Sequence, residues 1–172
     1  MHDTGIIEAT HYETNKPVRI ETGKGLITLI SETDESIRNR SLYVAPGLID
    51  NQINGYKGID FSDPQIDTGK IRTAVEAIRK EGVTTFFPTI ITGSHESLLK
   101  TFRNLAESLK DDEIRKSVPG FHLEGPYISP VEGFYGCHPA EYIRKPPWME
   151  FCEYQEAARG TIRQVTIAPA VE

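Results

Sequence analysis

Val83-Thr84-Thr85-Phe86-Phe87-Pro88-Thr89-Ile90-Ile91 is a β-branched and aromatic run of strand length, and the residues after it change period. Leu98, Phe102, Leu105 and Leu109 form an apolar stripe at helical spacing, with Ser94 placed to cap the helix and Glu96 in its first turn. Val118 to Glu124 then returns to strand character. Strand, helix, strand in this order implies parallel pairing through a right-handed crossover, so the fold class is α/β.

The alternation continues on both sides. Upstream, Ile71, Val75 and Ile78 recur at helical spacing before Gly82, a helix stop, and Leu48-Ile49-Asp50-Asn51-Gln52-Ile53-Asn54 reads as a strand. Downstream, a loop rich in Gly, Pro and Tyr runs from Glu124 to Pro147, long enough to be functional or mobile. Pro147 suits a first helical position, Trp148 to Ala158 is helical in composition, Gly160 ends it, and Gln164 to Ala168 reads as a further strand. Four strands separated by three helical segments predict about half of a (β/α)8 barrel of the TIM type, which takes eight such units and about 250 residues.

Ahead of this region the pattern is different. Ile6 to Ser31 alternates short β-rich stretches, among them Pro17-Val18-Arg19-Ile20 and Leu26-Ile27-Thr28-Leu29-Ile30, with Gly-containing breaks, and the polar stretch Glu32 to Arg40 follows. The predicted organisation is a small, incomplete β domain over residues 1–45, read as a segment of a β-sandwich, and the N-terminal half of a barrel over residues 46–172.

Composition narrows the function classes. A chain of 172 residues with 38% hydrophobic and 26% charged residues has the profile of a soluble α/β protein. With 19 Lys and Arg against 25 Asp and Glu, it lacks the clustered positive charge that nucleic-acid binding requires, so no nucleic-acid partner is expected. No apolar run approaches the ~18 residues that a bilayer span needs, and Met1-His2-Asp3-Thr4 has no signal-peptide character. No membrane association is expected, and the expected location is the cytoplasm. Cys137 and Cys152 are too few for a disulfide framework, which predicts reduced thiols.

Asp50, Gln52 and Asn54 are two apart along a strand and therefore share a face, which in a barrel is the interior. The competing reading is a turn at Asn54-Gly55, with the polar residues capping backbone groups. Glu124 ends the third strand with His122 on the same face, and the C-terminal ends of parallel strands are where barrels build active sites. A carboxylate is a hard donor suited to a divalent cation, and a neighbouring imidazole can orient it. A strand-end salt bridge would look the same in sequence, and one carboxylate does not make a metal site. Gly136-Cys137-His138-Pro139 lies in the long loop and can bring an imidazole over the same mouth, or leave it solvated. No Walker or GxGxxG phosphate loop is present. Cys137 and His138 are adjacent, an arrangement that rarely pairs a thiolate with its base.

Several blocks taken together resemble, in order and spacing, the N-acetylglucosamine-6-phosphate deacetylases of the amidohydrolase superfamily. They are Ala45-Pro46-Gly47-Leu48-Ile49-Asp50-Asn51-Gln52-Ile53-Asn54-Gly55, Thr84-Thr85-Phe86-Phe87-Pro88-Thr89-Ile90-Ile91-Thr92 and Gly120-Phe121-His122-Leu123-Glu124-Gly125-Pro126-Tyr127, continued by Ile143-Arg144-Lys145-Pro146 and Val165-Thr166-Ile167-Ala168-Pro169. The resemblance implies one divalent metal ion, zinc or similar, with Glu124 as a ligand. Gln52 and Asn54 stand where most of the superfamily has His-x-His, which implies a single-metal site. His122 is expected to orient or pack rather than coordinate. Cys137 and His138 match the small residue and His that contact the sugar phosphate, although the loop is longer here and Cys replaces a smaller or hydroxylated residue.

The family's two further metal-binding histidines and its catalytic Asp are expected beyond residue 172. In the family mechanism metal and Asp activate a water that attacks the acetamide carbonyl, and the Asp protonates the departing amine, giving glucosamine 6-phosphate and acetate. The implied partner is a small-molecule amino-sugar phosphate, of glucosamine or galactosamine type, and the complete protein is expected to be a homo-oligomer. The 172-residue chain by itself is expected to be inactive. Two alternatives remain: another amidohydrolase of dihydroorotase or deaminase type, against which Gln52-Ile53-Asn54 counts, and an inactive fragment or remnant with a binding role.

Overall fold

The computed structural model describes residues 4–33 and 42–169, so most of the polar stretch from Glu32 to Arg40 lies outside the described residues. The chain divides into two units, Met1–Pro46 and Gly47–Glu172.

In the first unit β1 (Gly5–His11), β2 (Pro17–Gly23) and β3 (Leu26–Glu32) form an antiparallel meander, and β4 (Tyr43–Val44) joins β1 in parallel, giving the order β3-β2-β1-β4. Lys24 and Gly25 both take positive φ, +53° and +75°, the conformation a two-residue hairpin turn requires. Ala9, Val18 and Ile20 are buried, whereas β3 exposes Leu26, Ile27, Leu29 and Ile30. Among the described residues this unit is one sheet, and no second layer of a sandwich is seen.

The second unit is mixed α/β. Its parallel sheet runs β5 (Leu48–Ile53), β8 (Val83–Ile91), β9 (Phe121–Glu124), β10 (Ile162–Thr166), so chain order and spatial order coincide. A small hairpin, β6 (Gly55–Tyr56) and β7 (Ile59–Asp60), follows β5. Its turn is Lys57-Gly58, with φ of +48° and +83°, so the turn signal at Asn54-Gly55 marks the end of β5 rather than the hairpin bend.

The helices start where the sequence offers a cap. α1 (Thr68–Arg79) begins after Asp67, whose side chain accepts from the Lys70 N–H at 2.8 Å, and α2 (His95–Ser108) after Ser94, which accepts from the Ser97 N–H at 3.2 Å. α1 buries Ile71, Ala74, Val75 and Ile78 and α2 buries Leu98, Phe102 and Leu105, both against Phe61, Phe86, Phe121 and Leu123. Each fully buried Leu or Phe contributes about 1.5–3 kcal/mol of transfer free energy. This layer fixes the height of the strand ends on which the site stands.

α3 (Asp112–Arg115) has no counterpart in the sequence reading, because four residues are too few to show a period. It delays the next strand: the Val118 N–H donates to the Ile114 carbonyl, and Pro119 has no N–H to offer, so β9 begins at Phe121 rather than Val118. At Gly120 a Cβ would lie 2.4 Å from Arg163 Cγ and 2.6 Å from the Thr161 carbonyl oxygen. That close approach lets the Phe121 N–H reach the Thr161 carbonyl, and Ile162 then pairs with Phe121, so β10 starts two residues earlier than Gln164. α4 (Trp148–Ala157) follows Pro147 and ends near Gly160, whose φ is +77°.

Candidate active site

β5 and β9 are separated in the sheet by β8, yet their side chains meet at the C-terminal strand ends. Gln52 Nε2 donates to Glu124 Oε1 at 2.6 Å, and Asn54 Nδ2 donates to Glu124 Oε2 at 2.9 Å. Two carboxamides thus hold the two oxygens of one carboxylate, a charge-assisted pair of bonds that fixes its orientation. Asp50 does not join them. The β5 register against β8 shifts between Asp50 and Ile53, and Asp50 Oδ1 accepts from the Gln52 N–H at 3.0 Å while the Ile53 N–H reaches Thr89 Oγ1 at 3.1 Å. The irregularity leaves Asp50 as a local cap and sends only Gln52 and Asn54 to the carboxylate.

His122 makes different contacts from those expected of a residue orienting Glu124. It is fully buried, with Nδ1 3.3 Å from Thr89 Oγ1 and Nε2 2.7 Å from Thr166 Oγ1. Burial holds its pKa below the usual range, and the nearby Glu124 charge only partly opposes this, so the ring is neutral near pH 7. Both nitrogens are occupied by threonines of the neighbouring strands. His122 ties β8, β9 and β10 together, and the orienting of Glu124 falls to Gln52 and Asn54.

A cavity of about 560 Å³ opens beside the carboxylate, lined by Asn54, Glu124, Cys137, His138 and the hairpin residues 55–60. The long loop therefore does bring Cys137 and His138 to the mouth where Glu124 stands. His138 is tied back to the sheet through Nδ1, which lies 2.8 Å from Thr92 Oγ1 and 3.4 Å from the Thr92 backbone N. Cys137 is exposed, and both cysteines are free thiols.

The loop is anchored by a group that the sequence did not single out. Arg144 Nε lies 3.0 and 2.9 Å from the two Glu150 oxygens, its Nη2 donates to Tyr154 Oη at 2.7 Å, and its Nη1 donates to the carbonyls of Tyr142 and Gly93 at 2.6 and 3.3 Å. Tyr127 Oη donates to Glu150 Oε1 at 2.9 Å, and burial with the Glu150 carboxylate beside it pushes the Tyr127 pKa far up. Burial likewise raises Tyr154. These bonds pin both ends of the loop to α4, and its C-terminal end also to Gly93, just before α2. In sequence, Arg144 and Tyr127 stood out only as members of the blocks Ile143-Arg144-Lys145-Pro146 and Gly120 to Tyr127.

The described residues contain no grouping of three or more His, Cys, Asp or Glu side chains placed to hold a metal. Glu124 is the one carboxylate in the cluster, and both its oxygens are engaged by amide donors. These residues alone do not fit a divalent cation, which takes at least three protein donors in a catalytic zinc site.

No family model matches the chain. The N-acetylglucosamine-6-phosphate deacetylase of Caenorhabditis elegans is 36% identical over 146 residues, covering 81% of this chain and 34% of the relative. That of Bacillus subtilis (strain 168) is 30% identical over 178 residues, covering 98% of this chain and 44% of the relative. Among solved structures, a mutant N-acetyl-D-glucosamine-6-phosphate deacetylase from Mycobacterium smegmatis, in complex with N-acetyl-D-glucosamine-6-phosphate, superposes with a TM-score of 0.81 at 25% identity over 99% of this chain and 45% of that one. The chain thus spans less than half the length of the relatives it matches. By sequence and by fold it belongs to the N-acetylglucosamine-6-phosphate deacetylase family.

Proposed function

We propose that this chain supplies the part of an amino-sugar phosphate deacetylase that carries Gln52, Asn54, Glu124 and His138, and that the parent activity is hydrolysis of N-acetylglucosamine 6-phosphate to glucosamine 6-phosphate and acetate. The observation that carries this reading is the Glu124 carboxylate, gripped by Gln52 and Asn54 at the ends of parallel strands and opening on the cavity that His138 also lines. The sheet order β5-β8-β9-β10, sequential and parallel, supports its being the first half of a (β/α)8 barrel. The small sheet of the first unit is read as one layer of a β-sandwich completed by residues outside this chain.

In this reading Glu124 contributes one ligand to a single divalent ion, zinc or similar, whose other donors lie outside the described residues. When bound, such an ion would supply Lewis acidity and activate water. This chain's own residues do the rest: the carboxamides of Gln52 and Asn54 keep the Glu124 carboxylate aimed, and Cys137 and His138 meet the sugar phosphate. No helix among the described residues is long and apolar enough to cross a membrane; the cytoplasmic setting in this reading rests on the two free thiols, Cys137 and Cys152. The exposed apolar residues of β3, a strand paired only with β2 among the described residues, support a second layer covering that face, and the complete protein is read as a homo-oligomer.

The test is a chimera in which this chain replaces the matching part of the Bacillus subtilis relative. The chimera is expected to release acetate from N-acetylglucosamine 6-phosphate, and Glu124→Ala to bring that rate down to the blank. The 172-residue chain alone is expected to release none and to retain no zinc after dialysis. Equal turnover by the chimera with and without Glu124→Ala would sink the assignment.

A further inference from the structure

Thr92 lies just past β8, 3% exposed, and its two polar groups converge on one atom, Nδ1 of His138. A backbone N–H can only donate, so Nδ1 must present its lone pair to it. The hydroxyl at 2.8 Å faces that same lone pair and therefore donates as well. A neutral imidazole carries a single N–H, which leaves Nε2 protonated. No bonded partner of Nε2 is found among the described residues, and the ring stands in the wall of the cavity.

Gly125 makes this possible. Its φ is +82°, and a Cβ there would lie 2.2 Å from Thr92 Oγ1 and 3.5 Å from His138 Nδ1. The missing side chain is the space in which the hydroxyl and the ring meet. We propose that Thr92 is a positioning residue which, in the gap left by Gly125, holds His138 in its Nε2–H tautomer, so that the ring offers a hydrogen-bond donor to an acceptor-rich ligand such as a phosphate or sugar oxygen. The ligand class rests on the reading of the cavity as a sugar-phosphate site. The tautomer does not.

The experiment records long-range ¹H–¹⁵N imidazole correlations of the ¹⁵N-labelled chain near pH 7, with the His138 signals assigned by their loss in His138→Asn. The wild-type chain is expected to show the Nε2–H form. Thr92→Val removes the shorter, 2.8 Å bond and keeps the weaker one from the backbone N–H at 3.4 Å, so it should shift part of the population toward the Nδ1–H form, severalfold over wild type, and Thr92→Ser should keep the wild-type pattern, with the His95 signals unchanged as a check on folding. Thr92→Ala is the second variant where Val packs badly. Titration with N-acetylglucosamine 6-phosphate should give a Kd about three- to tenfold higher for Thr92→Val and unchanged for Thr92→Ser, as expected for one hydrogen bond of about 0.5–1.5 kcal/mol. A wild-type His138 in the Nδ1–H form, or a tautomer balance that Thr92→Val and Thr92→Ala leave unmoved, overturns the proposal. A tautomer that behaves as expected in a chain that shows no saturable response to the sugar phosphate supports the positioning role and removes the ligand reading instead.

Discussion

Phe102→Ala is expected to lower the stability of the second unit by about 3–5 kcal/mol, the cost of deleting a large buried aromatic and leaving a cavity. Phe102 is fully buried, with ring centroids 6.3 Å from Phe121 and 6.1 Å from Tyr154. It is the point where α2 meets both β9 and α4, so little is free to collapse into the void. Far-UV circular dichroism of α1, α2 and α4 reports unfolding of this unit in urea. The midpoint should fall with the slope of the transition unchanged, and Phe102→Leu should cost less, about 1.5 kcal/mol. A loss under ~1 kcal/mol for Phe102→Ala would mean that the packing described around it is wrong.

Arg144→Ala is expected to cost about 3 kcal/mol and to loosen the loop that carries His138. The change strands Glu150, whose side chain is 15% exposed, without its guanidinium, and leaves the Tyr154 hydroxyl and the Gly93 carbonyl short of a donor. Removing one partner of a largely buried ion pair costs more than the pair contributes, because the other charge remains desolvated. Arg144→Lys should not rescue it, since an ammonium cannot reach the two Glu150 oxygens, Tyr154 and two carbonyls in one plane. Adding Glu150→Gln to Arg144→Ala should recover part of the loss. Additive effects in that double variant would show that the two residues are not coupled as the structure places them.

The long strands were legible as β-branched and aromatic runs and the two long helices by their apolar period, whereas the short β6–β7 hairpin was not. Leu98, Phe102 and Leu105 mark the buried face of α2 in sequence as they do in space, and Ser94 caps it as expected. The meeting of Gln52, Asn54 and Glu124 also followed from period, since residues two apart share a strand face and parallel strands end on the same side. The rest was hidden for a physical reason. Thr89, Thr92 and Thr166 read as strand formers, and nothing in a threonine's own neighbourhood announces that its hydroxyl will bond an imidazole 33, 46 or 44 residues away. Arg144 sits in a loop without periodicity, and its partners lie on α4, in its own loop and at Gly93 just before α2. His122 was read from its place beside Glu124 along the strand, but burial and two threonines decide its contacts.

The most direct test of the central claim, that the Glu124 mouth is a sugar-phosphate site, is an amide and side-chain NMR map of the 172-residue chain titrated with N-acetylglucosamine 6-phosphate. Shifts are predicted at Asn54, Glu124, Cys137, His138 and the hairpin residues 55–60, and they should vanish in His138→Asn. A second hollow, between α2 and the end of α4, offers a phosphate the guanidinium groups of Arg103 and Arg159, offset there by the carboxylates of Glu153 and Glu156. Saturable shifts gathered there, with the Glu124 mouth silent, would contradict the account.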